Sequence, residues 1–439
     1  MKAAQQEYQV NDTIDGWPFD AAAAFYRAVT NRYGFVDSVT VEKKGFLGRK
    51  YKERPDMRQI RVGPNPEDII QVPVGGFQLP GFEAPIETSF YRNPSTGKIG
   101  LSITGTFKAK DRDAIREIIV ETRRELLENS IYKGKALLLK TDENGEVTFR
   151  HEPEFMATDR INPAQLVLSK QAEEEVSINL LTPIWKTAEC RLHNIPLKRT
   201  IILAGPYGTG KTLCATMAAK HCVDSVDRWT YVLVNHPAGL AGALRFARNY
   251  QPCLVVAEDV DRVTEERDDA ANELMDELDG GPAKGSEVMV VLTTNHLDKI
   301  HAALLRAGRT DSIIHIGAPD AESVQRLVRL YAGGLIPAAE PLETLGKAIE
   351  GYIPALVAGI VERAKLAMVS RGAATLNEND LLVAARGVKT YATLLCGQKT
   401  EPEEYNDHEK LGRAFGAVMA NGPLIDIRKK LEEIEDRLF

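Results

Sequence analysis

Residues Gly205–Thr212 read GPYGTGKT, preceded by TIILA at Thr200–Ala204 and followed by LCATMAAKHC. An apolar β-prone run, a turn with two glycines five residues apart ending in Lys-Thr, and a helix-forming stretch give the pattern G-x-x-x-x-G-K-T between strand and helix. Each part has a physical reason. Glycine lets the backbone approach a phosphate where a Cβ would clash. The N–H groups of the turn and of the following helix N-terminus face the anion. Lys211 reaches the β- and γ-phosphates, and the Thr212 hydroxyl is placed to ligate Mg²⁺. The residues expected to hold the nucleotide are Gly205, Pro206, Tyr207, Gly208, Thr209, Gly210, Lys211, Thr212 and Leu213, with ATP and Mg²⁺ as the expected ligands.

Working outward, the pattern from about residue 161 alternates strand and helix. Strands are expected at Thr200–Ala204, Thr230–Val234, Cys253–Ala257, Val288–Leu292 and Ser312–Ile316. Near-continuous apolar strands between helices imply a parallel sheet buried on both faces. The third strand ends in Glu258-Asp259-Val260-Asp261. Two carboxylates behind a buried strand, within reach of a phosphate loop, suit Mg²⁺ coordination and activation of the attacking water. The fourth ends in Thr293-Thr294-Asn295, where Asn295 can orient that water or simply cap the next turn. Arg306 and Arg309, three apart between helix and strand, suit charge stabilisation on a transferring phosphoryl group, or are surface arginines.

Upstream, residues 1–16 are polar and expected to be loosely held. Asp20–Tyr33 reads as a helix with Asp20 as N-cap, and Val36–Val41 as a strand. Ile69–Val74, Glu87–Arg92 and Ile99–Phe107 alternate as strands do, and Lys110–Asn129 carries Ile115, Ile118, Ile119 and Leu126 on one helical stripe. Ala136–Lys140 and Glu146–Phe149 suggest a hairpin around Asp142–Gly145. Lys43–Arg58 is strongly basic with Phe46 and Tyr51 interleaved, so it is either a nucleic-acid patch or a solvated hairpin. Downstream, helices are expected at Glu322–Tyr331, Leu342–Glu350, Ala355–Arg371 and Asn377–Arg386. The end of the chain, Pro423–Phe439, has a short heptad stripe at Leu424, Ile427, Leu431, Ile434 and Leu438.

The 439 residues suffice for several domains, and 27% charged against 44% apolar residues is ordinary for a globular protein. A net charge of −7 disfavours nucleic-acid binding through overall charge. Five cysteines without a C-x-x-C pair read as buried thiols in a reducing compartment. No stretch has the length and apolarity of a signal peptide or a membrane span. The expectation is a cytoplasmic protein.

Together these motifs resemble the AAA family of the AAA+ ATPases. GPYGTGKT matches Walker A and LVVAED matches Walker B. LTTNHLDKIHAALLRAGRTD looks like the second region of homology, and NELMDELDGG looks like the run before it. The resemblance places Asn295 at sensor 1, Arg306 and Arg309 at the arginine-finger positions, and GYIPALVAGIVERA in the lid. It implies an α/β P-loop module, a parallel sheet between helices, with a helical lid behind an N-terminal α+β domain. The divisions expected are 1–160 for the N-terminal client or partner domain, 161–318 for the nucleotide-binding domain, 319–395 for the lid and 396–439 for the tail. The implied activity is Mg²⁺-dependent ATP hydrolysis in a homo-oligomeric ring, a hexamer or heptamer, acting on a protein client. The acids read Glu-Asp where most members read Asp-Glu. By this alignment Glu258 and Thr212 lie on the metal side, Asp259 is the base, and Lys211 contacts the γ-phosphate. EDVD, TTNH and NIPLKR look like the branch containing the mitochondrial chaperone that translocates the folded Rieske iron–sulfur protein. DRDAIREIIVETRRELL followed by KGKALLL is faintly similar to the same branch.

The chain also departs from the family pattern. Leu166-Val167-Leu168 stands where the adenine-contacting Ile-Gly-Gly is usual, and Pro354 where the lid carries a glycine. Asn235–Leu240 lacks the aromatic-Gly pair that grips a threaded polypeptide. Remodelling or translocation of a client without aromatic threading is therefore the leading expectation. Two alternatives stay open: remodelling of nucleic acid through the 43–58 segment, and a nucleotide-gated scaffold with little hydrolysis.

Overall fold

In a computed structural model of the chain, the described residues are 7–34, 41–44, 50–53, 56–93, 98–142, 146–149, 151–262, 277–278, 285–302, 304–306 and 308–388, with 41–44 and 50–53 as backbone only. The 423–439 stripe, Cys396 and most of the expected Val36–Val41 strand lie outside them.

Strands β1 (Glu7–Asp15), β2 (Val41–Lys44), β3 (Lys50–Glu53), β4 (Asp56–Arg61), β5 (Ile69–Phe77), β6 (Ile86–Arg92) and β7 (Ile99–Lys108) precede residue 110. Five form an antiparallel sheet ordered β1-β7-β6-β5-β4, while β2 and β3 pair as a separate hairpin within the basic run. Of residues 1–16, expected to be loosely held, Glu7–Asp15 form the edge strand β1, while 1–6 lie outside the described residues. Strand β1 pairs with β7 from Glu7↔Lys108 through Asp15↔Gly100. Tyr8, Val10 and Ile14 turn inward at period two, a pattern diluted in the sequence by Asp12.

Helix Pro18–Tyr33 buries Phe19, Ala21–Ala24, Phe25, Ala28 and Val29, and it packs on helix Arg112–Glu128 through the expected Ile115, Ile118 and Ile119. Asp20 is not its N-cap, which corrects the expectation. Proline at the first helical position starts the helix two residues earlier, after Trp17. The fully buried Asp20 carboxylate instead accepts hydrogen bonds from Ser130 Oγ (2.6 Å) and the Ile131 N–H (2.9 Å). Burial pushes its pKa up to about 6, against the lowering pull of those two bonds.

Strands β8 (Ala136–Leu139), β9 (Glu154–Phe155), β10 (Arg199–Ala204), β11 (Thr230–Val234), β12 (Cys253–Ala257), β13 (Val288–Thr294) and β14 (Ser312–His315) form the second sheet, ordered β14-β10-β13-β12-β11-β8-β9. Its strands are parallel except β9. The five expected strands are all present. The sheet also recruits residues 136–139, which the sequence suggested as half of an upstream hairpin. Leu137, Leu138 and Leu139 pair with Val232, Leu233 and Val234 of β11; of the hairpin, the described residues keep the Thr141↔Val147 bridge and the bond from the Asp142 N–H to the Glu146 carbonyl (2.8 Å). A division at residue 160 would therefore cut through the central sheet. ALLL is apolar on both faces, as a strand buried between layers must be.

Alternate residues of this sheet feed two cores. Ile201, Leu203, Leu254, Val256, Met289 and Val291 pack with helix Lys211–Asp224 and the helical run before β10. Ile202, Val255, Val290 and Leu292 pack with helix Leu240–Ala247 and, continuously, with the N-terminal unit. The junction is aromatic. Trp17 meets Phe246 edge-on at 5.0 Å, Tyr132 stacks near Phe246 and Tyr250, and the Trp17 N–H donates to Tyr250 Oη (3.3 Å). Helices Ala321–Ala332, Glu343–Ala348, Pro354–Ser370 and Glu378–Arg386 form a third core of their own. Asn377 caps the last of these in a reciprocal box with Asp380. Cys190, Cys214, Cys222 and Cys253 are buried free thiols, as expected.

Because Asp20 holds its proton more tightly in the folded than in the unfolded chain, it costs stability as pH rises from about 4 through 6. Replacing Asp20 by Asn is expected to remove that slope. The stability of the variant relative to wild type should rise by up to about 3 kcal/mol between pH 4 and pH 7. Urea titrations at the two pH values check this, and a constant difference would contradict it.

Candidate functional site

The carboxyl ends of parallel strands share one edge, and the phosphate loop leaves β10 at that edge. Gly208 (φ 75°) and Gly210 (φ 103°) take left-handed conformations that turn the loop into helix Lys211–Asp224. A Cβ on Gly205 would lie 2.1 Å from the Ile316 carbonyl oxygen, so β14's continuation admits glycine there. Thr209 Oγ donates to the Pro206 carbonyl (2.9 Å), closing the turn. The buried Lys211 Nζ donates to the Gly205 and Pro206 carbonyls (2.8 and 2.7 Å). Burial lowers the pKa of this ammonium, while the charges of Asp259 and Asp261 act to raise it. Thr212 is exposed at the first turn of the helix, and Tyr207, 62% exposed, packs edge-on against His296 (6.0 Å).

The ends of β12 and β13 are tied together beside this loop. Asn295 Nδ2 donates to Asp259 Oδ1 (3.0 Å), and the Asp259 N–H donates to Thr293 Oγ (3.1 Å). Asp259 sits at φ 50°, a conformation unusual for a non-glycine residue. Asp261, 6% exposed, accepts from Thr294 Oγ (2.8 Å) and from the Asn295 N–H (3.4 Å). Asp261, Thr293 and Thr294 were quoted in the sequence motifs without a role. The available signal was that an acid and two threonines at adjacent parallel strand ends must find partners when buried.

Arg306 and Arg309 lie elsewhere. Their loop is fixed by Asp311, whose N–H donates to the Thr200 carbonyl (2.9 Å) and whose carboxylate accepts the Thr200 N–H (2.8 Å). Thr200 opens β10 and the phosphate loop follows its end. At about 3.3 Å per residue the two loops are separated by roughly 16 Å of strand. Arg306 is exposed and Arg309 half-buried.

Leu166–Leu168 runs between the sheet and the helices that follow it. Leu168 O accepts from Ser323 Oγ (2.7 Å) and Arg326 Nη2 (2.9 Å), and Val167 packs into the third core. Pro354 is the first residue of its helix, and the neighbouring Ile353 Cδ1 and Ala355 Cβ lie 3.2 and 3.6 Å from where a Cβ on Gly208 would be. The third core thus closes over the phosphate loop. Turning to the metal, no group of three or more His, Cys, Asp or Glu side chains is placed to hold an ion among the described residues. Mg²⁺ needs one or two carboxylates plus phosphate oxygens and water; the exposed Thr212 hydroxyl at the first turn of the helix and the half-buried Glu258 carboxylate just after β12 are oxygen donors of that kind.

Residues 201–318 match the family model described as "ATPase family associated with various cellular activities (AAA)". Fold and match define an AAA ATPase domain of α/β class, set between an N-terminal antiparallel sheet and C-terminal helices. The chain is 27% identical over 258 residues to "ATP-dependent zinc metalloprotease FtsH 4" of Synechocystis sp., covering 52% of this chain and 39% of that one. It is 30% identical over 250 residues to "ATP-dependent zinc metalloprotease FtsH 2" of Symbiobacterium thermophilum (52% and 42%). It is 31% identical over 244 residues to the protein of the same name from Sorangium cellulosum (51% and 39%). The chain thus spans about two fifths of the length of these relatives. This sequence contains no His-Glu-x-x-His pattern. Among the described residues no helix is long and apolar enough to cross a membrane.

Asp261 holds the strand end that carries Asn295, through Thr294 Oγ and the Asn295 N–H. Replacing it by Ala leaves Thr294 Oγ and the Asn295 N–H without their acceptor. The expected cost is about 1–3 kcal/mol of stability, with a fall in kcat at little change in ATP affinity. Denaturant unfolding and steady-state ATP hydrolysis check both, and an unchanged kcat would contradict the positioning role.

Proposed function

We propose that the chain is an Mg²⁺-dependent ATP hydrolase that works as a homo-oligomeric ring, a hexamer or heptamer, and remodels or translocates a protein client. ATP lies along Gly205–Leu213, with Lys211 on the β- and γ-phosphates. Thr212 and Glu258 would hold Mg²⁺, which would supply charge neutralisation at the phosphates. A water oriented by Asn295 attacks the γ-phosphorus. Its proton passes to Asp259, the bond from phosphorus to the bridging oxygen breaks, and ADP and phosphate leave. The Asn295–Asp259 bond supports this division of labour.

The observation that carries the ring is the place of Arg306 and Arg309. Their loop is tied through Asp311 to the opening residues of β10, at the edge of the sheet opposite the phosphate loop. They fit a role on the nucleotide of a neighbour, where head-to-tail contacts close a ring.

The short turn after β11 supports a client that is not threaded. Asn235 Oδ1 accepts the Thr141 N–H (2.9 Å), and a Cβ on Gly239 would lie 2.4 Å from Thr141 Cγ2. The turn is pinned to the end of β8 and offers no aromatic grip. The motif kinship with the Rieske-translocating branch points the same way, toward a folded client contacted by the N-terminal unit.

Replacing Arg309 by Ala is expected to lower kcat on the order of 10²–10³-fold while assembly and ATP binding persist. Turnover per wild-type subunit should rise with protein concentration as mass in solution rises. Equal turnover in dilute monomer would overturn the ring. ATP binding without turnover at any concentration would favour a nucleotide-gated scaffold.

A further inference from the structure

The two halves of the candidate site stand on different strands. The phosphate loop follows β10, while Asp259 and Asn295 follow β12 and β13. A side-chain contact crosses from the tip of the loop to the second half. The Tyr207 ring meets the His296 ring edge-on, with centroids 6.0 Å apart and planes at 71°. Burial does not account for it, because Tyr207 keeps 62% of its surface exposed and His296 is only half-buried.

Each ring sits next to a group that the hydrolysis needs. His296 follows Asn295, whose side chain donates to Asp259 (3.0 Å). The His296 N–H donates to Thr294 Oγ (3.0 Å), the hydroxyl that Asp261 holds. On the other side, Lys211 Nζ donates to the Pro206 carbonyl (2.7 Å). That carbonyl belongs to the planar peptide unit that joins Pro206 to Tyr207. A phosphate drawn to Lys211 competes for the ammonium, and the peptide plane passes the change on to the Tyr207 ring. Gly208, at φ 75°, gives the chain its turn directly after that ring.

We propose that Tyr207 is a positioning residue that acts through His296. The ring pair carries the state of the phosphate loop to the end of β13 and so sets Asn295 against Asp259. This inference rests on the hydrolase reading above and adds the route by which a filled loop aligns the residue that orients the water.

The test is a double-mutant cycle on the full chain, with Tyr207→Ala, His296→Ala and the two combined, read as kcat and as ATP affinity. Each single variant is expected to lower kcat about two- to twelvefold, the range of an aromatic pair, with ATP affinity within about twofold of wild type. The double variant should be no slower than the slower single one. Tyr207→Phe keeps the ring contact and should keep the wild-type kcat. Hydrogen exchange across residues 292–300, with and without a non-hydrolysable ATP analogue, reads the same coupling apart from turnover. The analogue should protect this segment in wild type and in Tyr207→Phe, and protect it less in Tyr207→Ala and His296→Ala. If wild type binds ATP without turnover, the hydrolase reading fails while the exchange measurement still decides the coupling. Losses that multiply in the double variant, protection that is absent in wild type or undiminished in the alanine variants, or loss of ATP binding in Tyr207→Ala would each overturn the proposal. The last would make the ring part of the nucleotide cradle. Should an alanine variant fail to fold, Tyr207→Leu and His296→Gln run the same cycle with bulkier side chains.

Discussion

The hydrogen bond from Asn295 Nδ2 to Asp259 Oδ1 joins the ends of two neighbouring buried strands beside the phosphate loop, and the geometry of the candidate site depends on it. It forms because parallel pairing brings β12 and β13 out at the same edge, Ala257 opposite Leu292. Asp261 then holds the strand end from below through Thr294 and the Asn295 N–H. Asp259 itself takes a left-handed conformation, and its carboxylate faces the Asn295 amide. Burial of both strands on two faces is what makes this edge rigid, so the core and the catalytic geometry are one constraint.

That core extends further than an ATPase module alone. Trp17, Tyr132, Phe246 and Tyr250 join the N-terminal unit to the helix after β11, and β8 extends the sheet from the same upstream segment. A continuous apolar core of this kind moves as one body. The helices beyond Pro319 have a separate core and meet the preceding segment through Val167 and through polar contacts such as Arg326 to Glu173 (2.8 Å) and Asp320 to the Lys170 N–H (3.1 Å). Motion between these two parts is therefore the cheaper deformation. In this reading, nucleotide turnover shifts the C-terminal helices against a sheet that carries the N-terminal unit with it.

Much of this was legible in the sequence because it rests on local rules. The glycines of the phosphate loop, the all-apolar strands, and the acids and asparagine at strand ends are each dictated by neighbours close in sequence. What the sequence concealed depends on distant partners. β1 looked polar because an edge strand shows its apolar residues only on alternate positions. Asp20 looked like a helix cap, because nothing nearby reveals that Ser130 and Ile131 would close over it. β8 looked like half of a hairpin, because ALLL pairs with a strand some 95 residues later. Asp261 sat inside a recognised motif, yet its role emerged only with β13 beside it. The arginine positions were readable as residues, but their distance from the phosphate loop was not.

In the proposed ring a complete site takes Asp259 from one subunit and Arg309 from the next. The most direct test mixes two inactive variants, Asp259→Asn and Arg309→Ala, and measures ATP hydrolysis. A shared site predicts recovery, because an Arg309→Ala subunit beside an Asp259→Asn subunit presents one intact interface. Random mixing in equal parts restores about a quarter of the interfaces. If the mixture hydrolyses ATP no faster than the sum of its parts while co-assembly is confirmed by mass, the two residues do not act across a shared interface and the account is wrong.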